Sequence, residues 1–222
     1  MSGKKSNILK IALAAVFCAV AYICTYLKVP VMFLSLEVKD AVIVLCTLIL
    51  GPLWGLGVAL LVPTLELITH STTGVYGWVM NILSSVTFAM VTGLIYRFKK
   101  SFLGAILGLV CGIFSVTAVM MLANLLITPF YMGVSISDVA ALIPKVLLPF
   151  NLVKATLNGG IVLLLYKPLS TVLKRMRLLE VGPSFTEQKV EKKSGILRTV
   201  IVSCVAVAVI LGSLAIVFFV LK

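Results

Sequence analysis

The sequence predicts an all-α polytopic membrane protein, and three observations predict it. Of 222 residues, 61% are hydrophobic and only 12% charged, too few polar side chains to cover a soluble domain of this size. Apolar runs recur along the whole chain, as expected when several helices cross a bilayer. The basic residues, with a net charge of +12, stand in short clusters at the ends of these runs. That is the pattern of cytoplasmic loops, and no aromatic-interleaved patch for nucleic acid is present.

Taken in order, Lys4 and Lys5 precede an apolar run at 8–27, which is long enough to span and reads as a first helix instead of a cleaved leader. The next run, 41–69, contains Gly51-Pro52 near its middle. Proline lacks the N–H of an interior helix bond, so the pair either kinks one helix or separates two. Charge decides. With the N-terminus in the cytoplasm, a single span would put both RFKK (97–100) and KRMR (174–177) outside, against the positive-inside rule. Two spans, roughly 40–50 and 53–69, return both clusters to the cytoplasm and leave 28–39, 70–76 and 128–145 as outward loops. The first of this pair covers only about 17 Å, so its neighbours must shelter it from lipid.

Further spans follow at 77–96, 102–127 and 146–166, completing a six-helix unit over residues 1–179. The polar stretch EVGPSFTEQKVEKKSG at 180–195 reads as a cytoplasmic linker, and 196–222 as an additional transmembrane helix. Five cysteines, all within apolar runs and without C-x-x-C spacing, are packing residues and neither a disulfide framework nor a zinc site.

On this topology the intramembrane polar residues converge at one depth. Asn151, Lys154 and Asn158 share one face of the sixth span, with Lys154 about 12 Å below the outer surface. Glu66 and His70 lie near the outer end of the third span, Asn81 in the fourth and Asn124 in the fifth, with Tyr76 and Trp78 at the outer mouth. Charged groups in a bilayer are expensive unless they meet a partner, water or a ligand. The reading is therefore one pocket, open to the outside, for a small polar ligand with a flat or carbonyl-rich face. Trp78, Tyr76, Phe130 and Tyr131 offer rings for stacking. Without ligand, Lys154 is expected to pair with Glu66. A purely structural Lys154–Glu66 pair, asparagines that only bridge helices, and belt aromatics are the plainer alternatives.

No G-x-x-x-x-G-K-[ST] loop and no H-E-x-x-H occur, and the one histidine has no companion ligands, so neither ATP hydrolysis, catalysis nor a metal site is expected of this chain. Energy for any uptake must come from an ion gradient or a partner. Within ALAAVFCAVA (12–21), Ala15 and Ala19, with Ala14 and Ala21 nearby, form a small-residue stripe that permits close helix approach.

The alanine-rich first helix, FLSLEVKDAVIVL (33–45), GPLWGLGVALL (51–61), NILSSVTF (81–88), LANLLITPFYMG (122–133) and LPFNLVKATLNGG (148–160) together resemble the substrate-binding S components of energy-coupling factor (ECF) vitamin transporters, in their riboflavin-binding branch. The resemblance runs in order from residue 8 to about 177. It implies a six-helix S-component bundle that captures riboflavin or a related flavin from outside, needs no cofactor, and docks on a transmembrane coupling subunit carrying two ATPase subunits. It further implies that Asn124, Asn151 and Lys154 are ligand contacts and that Ala15 and Ala19 form the docking surface. The chain departs from that branch at LVPTLELITH (61–70), where Glu66 introduces a carboxylate, and in its additional helix. Other vitamins (a B6 form, folate, pantothenate) and an autonomous ion-coupled permease relaying protons through Glu66 and His70 are the alternative readings.

Overall fold

In the computed structural model, residues 2–175, 207, 208 and 210–212 are described. The elements are α1 (Ser2–Cys24), a hairpin of β1 (Lys28–Val31) and β2 (Leu34–Glu37), α2 (Lys39–Leu50), α3 (Pro52–Thr69), α4 (Gly74–Phe98), α5 (Phe102–Met132), the short α6 (Ile136–Leu142), a π-helical turn (Ile143–Leu147) and α7 (Leu148–Arg175). Five described segments are long and apolar enough to cross a membrane: Asn7–Cys24, α3, α4, α5 and Ile136–Leu173. The linker 180–195 lies outside the described residues. So does the additional span, apart from Val207, Ala208 and 210–212, which are helical.

The expected break at Gly51-Pro52 is present. Gly51 has φ +108°, a conformation that only glycine adopts without strain. Pro52 follows as the first residue of α3, where its missing N–H has no helical partner to lose. The short α2 is sheltered as anticipated, for nine of its twelve residues are buried. It contacts α1, α3, α4 and α7. At about 1.5 Å per residue it is a central strut some 18 Å long, enclosed by helices that do span.

Small residues let these helices approach one another. A Cβ on Gly108 of α5 would stand 2.7 Å from the Thr92 carbonyl oxygen of α4, and Thr92 Oγ1 donates to the Gly108 carbonyl across the same contact, 3.2 Å. Nearer the cytoplasmic end assigned from the sequence, the Tyr96 and Tyr166 hydroxyls bond at 2.7 Å within the core.

Two expected loops are structured. Residues 28–39, read as loop in an all-helical protein, contain the antiparallel hairpin, paired from Lys28 with Glu37 to Val31 with Leu34. Its two-residue turn carries Met32 at φ +55°. The strands are four residues each and include Pro30, so no alternating pattern of useful length was present to signal them. Likewise 128–145 is almost entirely helical: α5 continues to Met132, Gly133 caps it at φ +66°, and Ser135 and Asp138 form a capping box that starts α6.

Candidate ligand-binding site

The hairpin and the ends of α3, α4, α5 and α7 enclose a cavity of about 530 Å³, within the range that holds a vitamin-sized ligand. Six of the expected site residues line it: Glu66, Tyr76, Asn81, Asn124, Asn151 and Lys154. Two do not. Trp78 sits about 200° around α4 from Tyr76, and its indole N–H donates to Thr64 Oγ1 of α3 at 3.2 Å.

Asn158 is buried behind the cavity. Its Oδ1 accepts the Ala41 N–H at 2.8 Å, while its Nδ2 donates to the carbonyls of Glu37 and Lys154, each at 2.9 Å. It fastens α7 to the joint between the hairpin and α2.

The charges are arranged differently from the expected Lys154–Glu66 pair. Glu66 Oε1 accepts Lys28 Nζ at 2.9 Å, and Oε2 accepts Lys39 Nζ at 3.0 Å and Asn81 Nδ2 at 3.1 Å. Lys39, fully buried, also pairs with Glu37. Burial pushes the Glu37 carboxyl up, but the nearby Lys154 and Lys39 charges and hydrogen bonds from Lys39 and Ser35 outweigh it and hold it at about 2. The result is an ordered series, Lys28, Glu66, Lys39, Glu37, with Lys154 facing its end. The negative charge that Glu66 brings to α3 is therefore neutralised within the protein and is not offered to a ligand.

The amides are also partly committed. Asn124 Nδ2 donates to the Met120 carbonyl at 2.7 Å and its Oδ1 accepts from Thr128 at 2.9 Å. Asn151 Nδ2 donates to the Leu147 carbonyl at 2.8 Å, a carbonyl of the π-helical turn. Each side chain is thus held in one orientation by its own helix, with the rest of its hydrogen-bonding capacity on the cavity wall. Phe33, Tyr76, Tyr131 and Phe150 supply aromatic surface to the same cavity, and the Tyr76 and Tyr131 rings meet edge to face at 6.3 Å. Phe130 is instead exposed on the outside of α5.

Sequence reasoning missed the hairpin's share of the site: Lys28, Phe33, Ser35 and Glu37 all line the cavity. A usable signal was present. In a chain with only 12% charged residues, Lys28, Glu37, Lys39 and Asp40 fall within one short segment between two spans.

The model of the family described as ECF transporter, substrate-specific component, matches residues 9–166. The chain belongs to that family. Its members are the substrate-binding components of transporters and not enzymes. The riboflavin transporter RibU of Staphylococcus aureus (strain TCH60) is 29% identical over 168 residues, covering 71% of this chain and 88% of the relative. The solved S component of a bacterial ECF transporter superposes with a TM-score of 0.65 at 27% identity, covering 75% of this chain and 98% of that one. In this ECF component, the matched region ends within α7.

Proposed function

We propose that this S component binds riboflavin in the cavity beneath the hairpin, on the outer side of the membrane, and delivers it through a transmembrane coupling subunit driven by two ATPase subunits. The observation that carries the reading is the convergence of Asn124, Asn151 and Lys154, from α5 and α7, with four aromatic rings on one cavity of about 530 Å³. A flavin has a flat ring edged with carbonyls and ring nitrogens, and a polyhydroxyl chain. Amides donate to and accept from such an edge, an ammonium donates to a carbonyl, and aromatic faces stack on the ring. The neutralisation of Glu66 by Lys28 and Lys39 removes the objection that a carboxylate on α3 repels a carbonyl-rich ligand. The kinship with a riboflavin transporter supports the same ligand.

The orientation rests on the positive-inside rule: with RFKK and KRMR inside, the N-terminus is cytoplasmic and the hairpin faces outward. Ala15 and Ala19 are exposed on α1, whereas Ala14 and Ala21 turn inward to the core. The exposed pair suits the close approach of a partner helix. The proton-relay alternative finds little support, because the Glu66 carboxylate is occupied by two lysines and an amide.

The test is the absorbance spectrum of protein purified in mild detergent, followed by titration with riboflavin and its fluorescence. Bound flavin, or quenching that saturates near one equivalent, is the expected result. Colourless protein without quenching overturns the ligand and directs the search to another vitamin.

A further inference from the structure

We infer that Asp40 is a positioning residue for ligand binding: through one buried water it holds the Lys154 ammonium at the wall of the large cavity. The part of this inference that concerns affinity rests on the riboflavin reading above.

The joint between α2 and α7 brings the two residues together. Asn158 accepts the Ala41 N–H at 2.8 Å, so α7 abuts the first turn of α2 at that level. Lys154 lies one turn before Asn158 on the same face of α7, and Asp40 immediately precedes Ala41. The Asp40 side chain is buried and is oriented from α4. Its Oδ1 accepts from Ser85 Oγ at 2.5 Å and its Oδ2 from Ser84 Oγ at 3.4 Å. The second contact is long for a hydroxyl donor, which leaves Oδ2 room for another.

A second, small cavity of about 10 Å³ lies between these groups. Asp40, Ser84 and Asn158 line it, and so do Asn151 and Lys154, which also line the large cavity. Those last two therefore form the partition, with the ligand cavity on one side and Asp40 on the other. Asn151 is already fixed by its bond to the Leu147 carbonyl, so Lys154 is the part of the partition that needs a hold.

The volume suits a single water, and the polar wall supplies the two to four partners that a buried water requires. Among the described residues no direct ion pair joins Asp40 to Lys154. A water accepts from the ammonium and donates to the carboxylate, and so spans that gap. Glu37 also lies near the Lys154 charge, but from the hairpin side of the large cavity. Its Oε1 already accepts from Ser35 and its Oε2 from Lys39. Held from behind by Asp40, Lys154 has less rotamer freedom left to lose when a ligand arrives.

The water is tested without any vitamin. A crystal structure of the full-length protein free of ligand, at a resolution that shows ordered waters, is expected to contain one within hydrogen-bond distance of both Asp40 Oδ2 and Lys154 Nζ. No density there overturns the inference, whatever the protein does with riboflavin. Riboflavin titration then reads the coupling. Asp40→Asn is expected to weaken binding roughly threefold to tenfold, the worth of one hydrogen bond. In a Lys154→Ala background the same substitution is expected to change affinity by less than about twofold, because the group it positions is gone. Equal losses in the two backgrounds mark Asp40 as structural and overturn the positioning role. Ser84→Val, whose methyl groups compete with the water for the small cavity, repeats the comparison with the carboxylate intact and is expected to give the same pattern. Absence of riboflavin binding by the parent overturns the ligand assignment, and the crystallographic water then decides the contact between Asp40 and Lys154.

Discussion

Lys39 Nζ stands 3.0 Å from Glu66 Oε2, the lysine wholly enclosed and the carboxylate nearly so. Glu66 also holds Lys28, so one carboxylate serves two cations. Replacing it with glutamine leaves a buried ammonium with one partner fewer, a loss of about 3 kcal/mol or more for a broken buried pair. Glu66→Gln is therefore expected to lower the thermal midpoint in detergent markedly. A double variant, Lys39→Met with Glu66→Met, should recover part of that loss. A midpoint for Glu66→Gln equal to that of the parent would show that the pair contributes nothing.

Among the described cations that line the cavity, Lys154 stands outside the series of ion pairs. If it binds the ligand as proposed, its replacement by alanine is expected to cost a charge-assisted hydrogen bond of about 1.5–3 kcal/mol, or roughly tenfold to a hundredfold in affinity. Trp78→Phe is the control, since Trp78 bonds Thr64 and not the cavity. Its riboflavin affinity should stay within about twofold of the parent. Fluorescence titration of both variants distinguishes a site on α7 from one on the outer face of α4.

Asn158 predicts the opposite separation. Its amide makes three hydrogen bonds to backbone groups, so Asn158→Ala strips buried partners at about 1–3 kcal/mol each when left unsatisfied. The expected result is a clear fall in thermal midpoint. Protein that still folds at low temperature should keep most of its affinity, as measured by the same titration.

At Gly108 the backbones of α4 and α5 come close together. A methyl group there meets the Thr92 carbonyl oxygen at 2.7 Å, and neither backbone can yield freely along so long a contact. Gly108→Ala is expected to destabilise by about 1–3 kcal/mol. Gly57→Ala, where the added atom meets nothing within 4 Å, should be neutral or slightly stabilising by the same thermal assay.

The helical skeleton was legible because its signals are strong and local. Gly51-Pro52 marked a break that charge arithmetic turned into two helices, and the low polarity of every other run left little alternative to spanning. The hairpin was not legible. Four-residue strands containing Pro30 carry no usable period; here Val31 and Leu36 pack with Phe150 and Leu157 of α7, and Lys28 pairs with Glu66 of α3.

Depth placed Asn124, Asn151 and Lys154 on one cavity, since helical rise fixes depth from sequence alone. Azimuth was harder. Trp78 and Tyr76 share a depth, yet a difference of about 200° around α4 sends one to Thr64 and the other to the cavity. The partner of Lys154 was misread for a related reason. Glu66 is at the right depth, but Lys28 and Lys39 reach it from a segment that looked like loop.

The enclosure of α2 has a consequence for how the protein is made. Twelve residues headed by Lys39 and Asp40 are too few, and too charged at one end, to be released from the translocon into lipid as an independent segment. Glu66, the counter-ion that Lys39 shares with Lys28, arrives only with the last turns of α3. The two helices are therefore expected to leave the translocon together, as a pair folded at Gly51, with α1 already alongside. Membrane integration of α2 is thus expected to require α3.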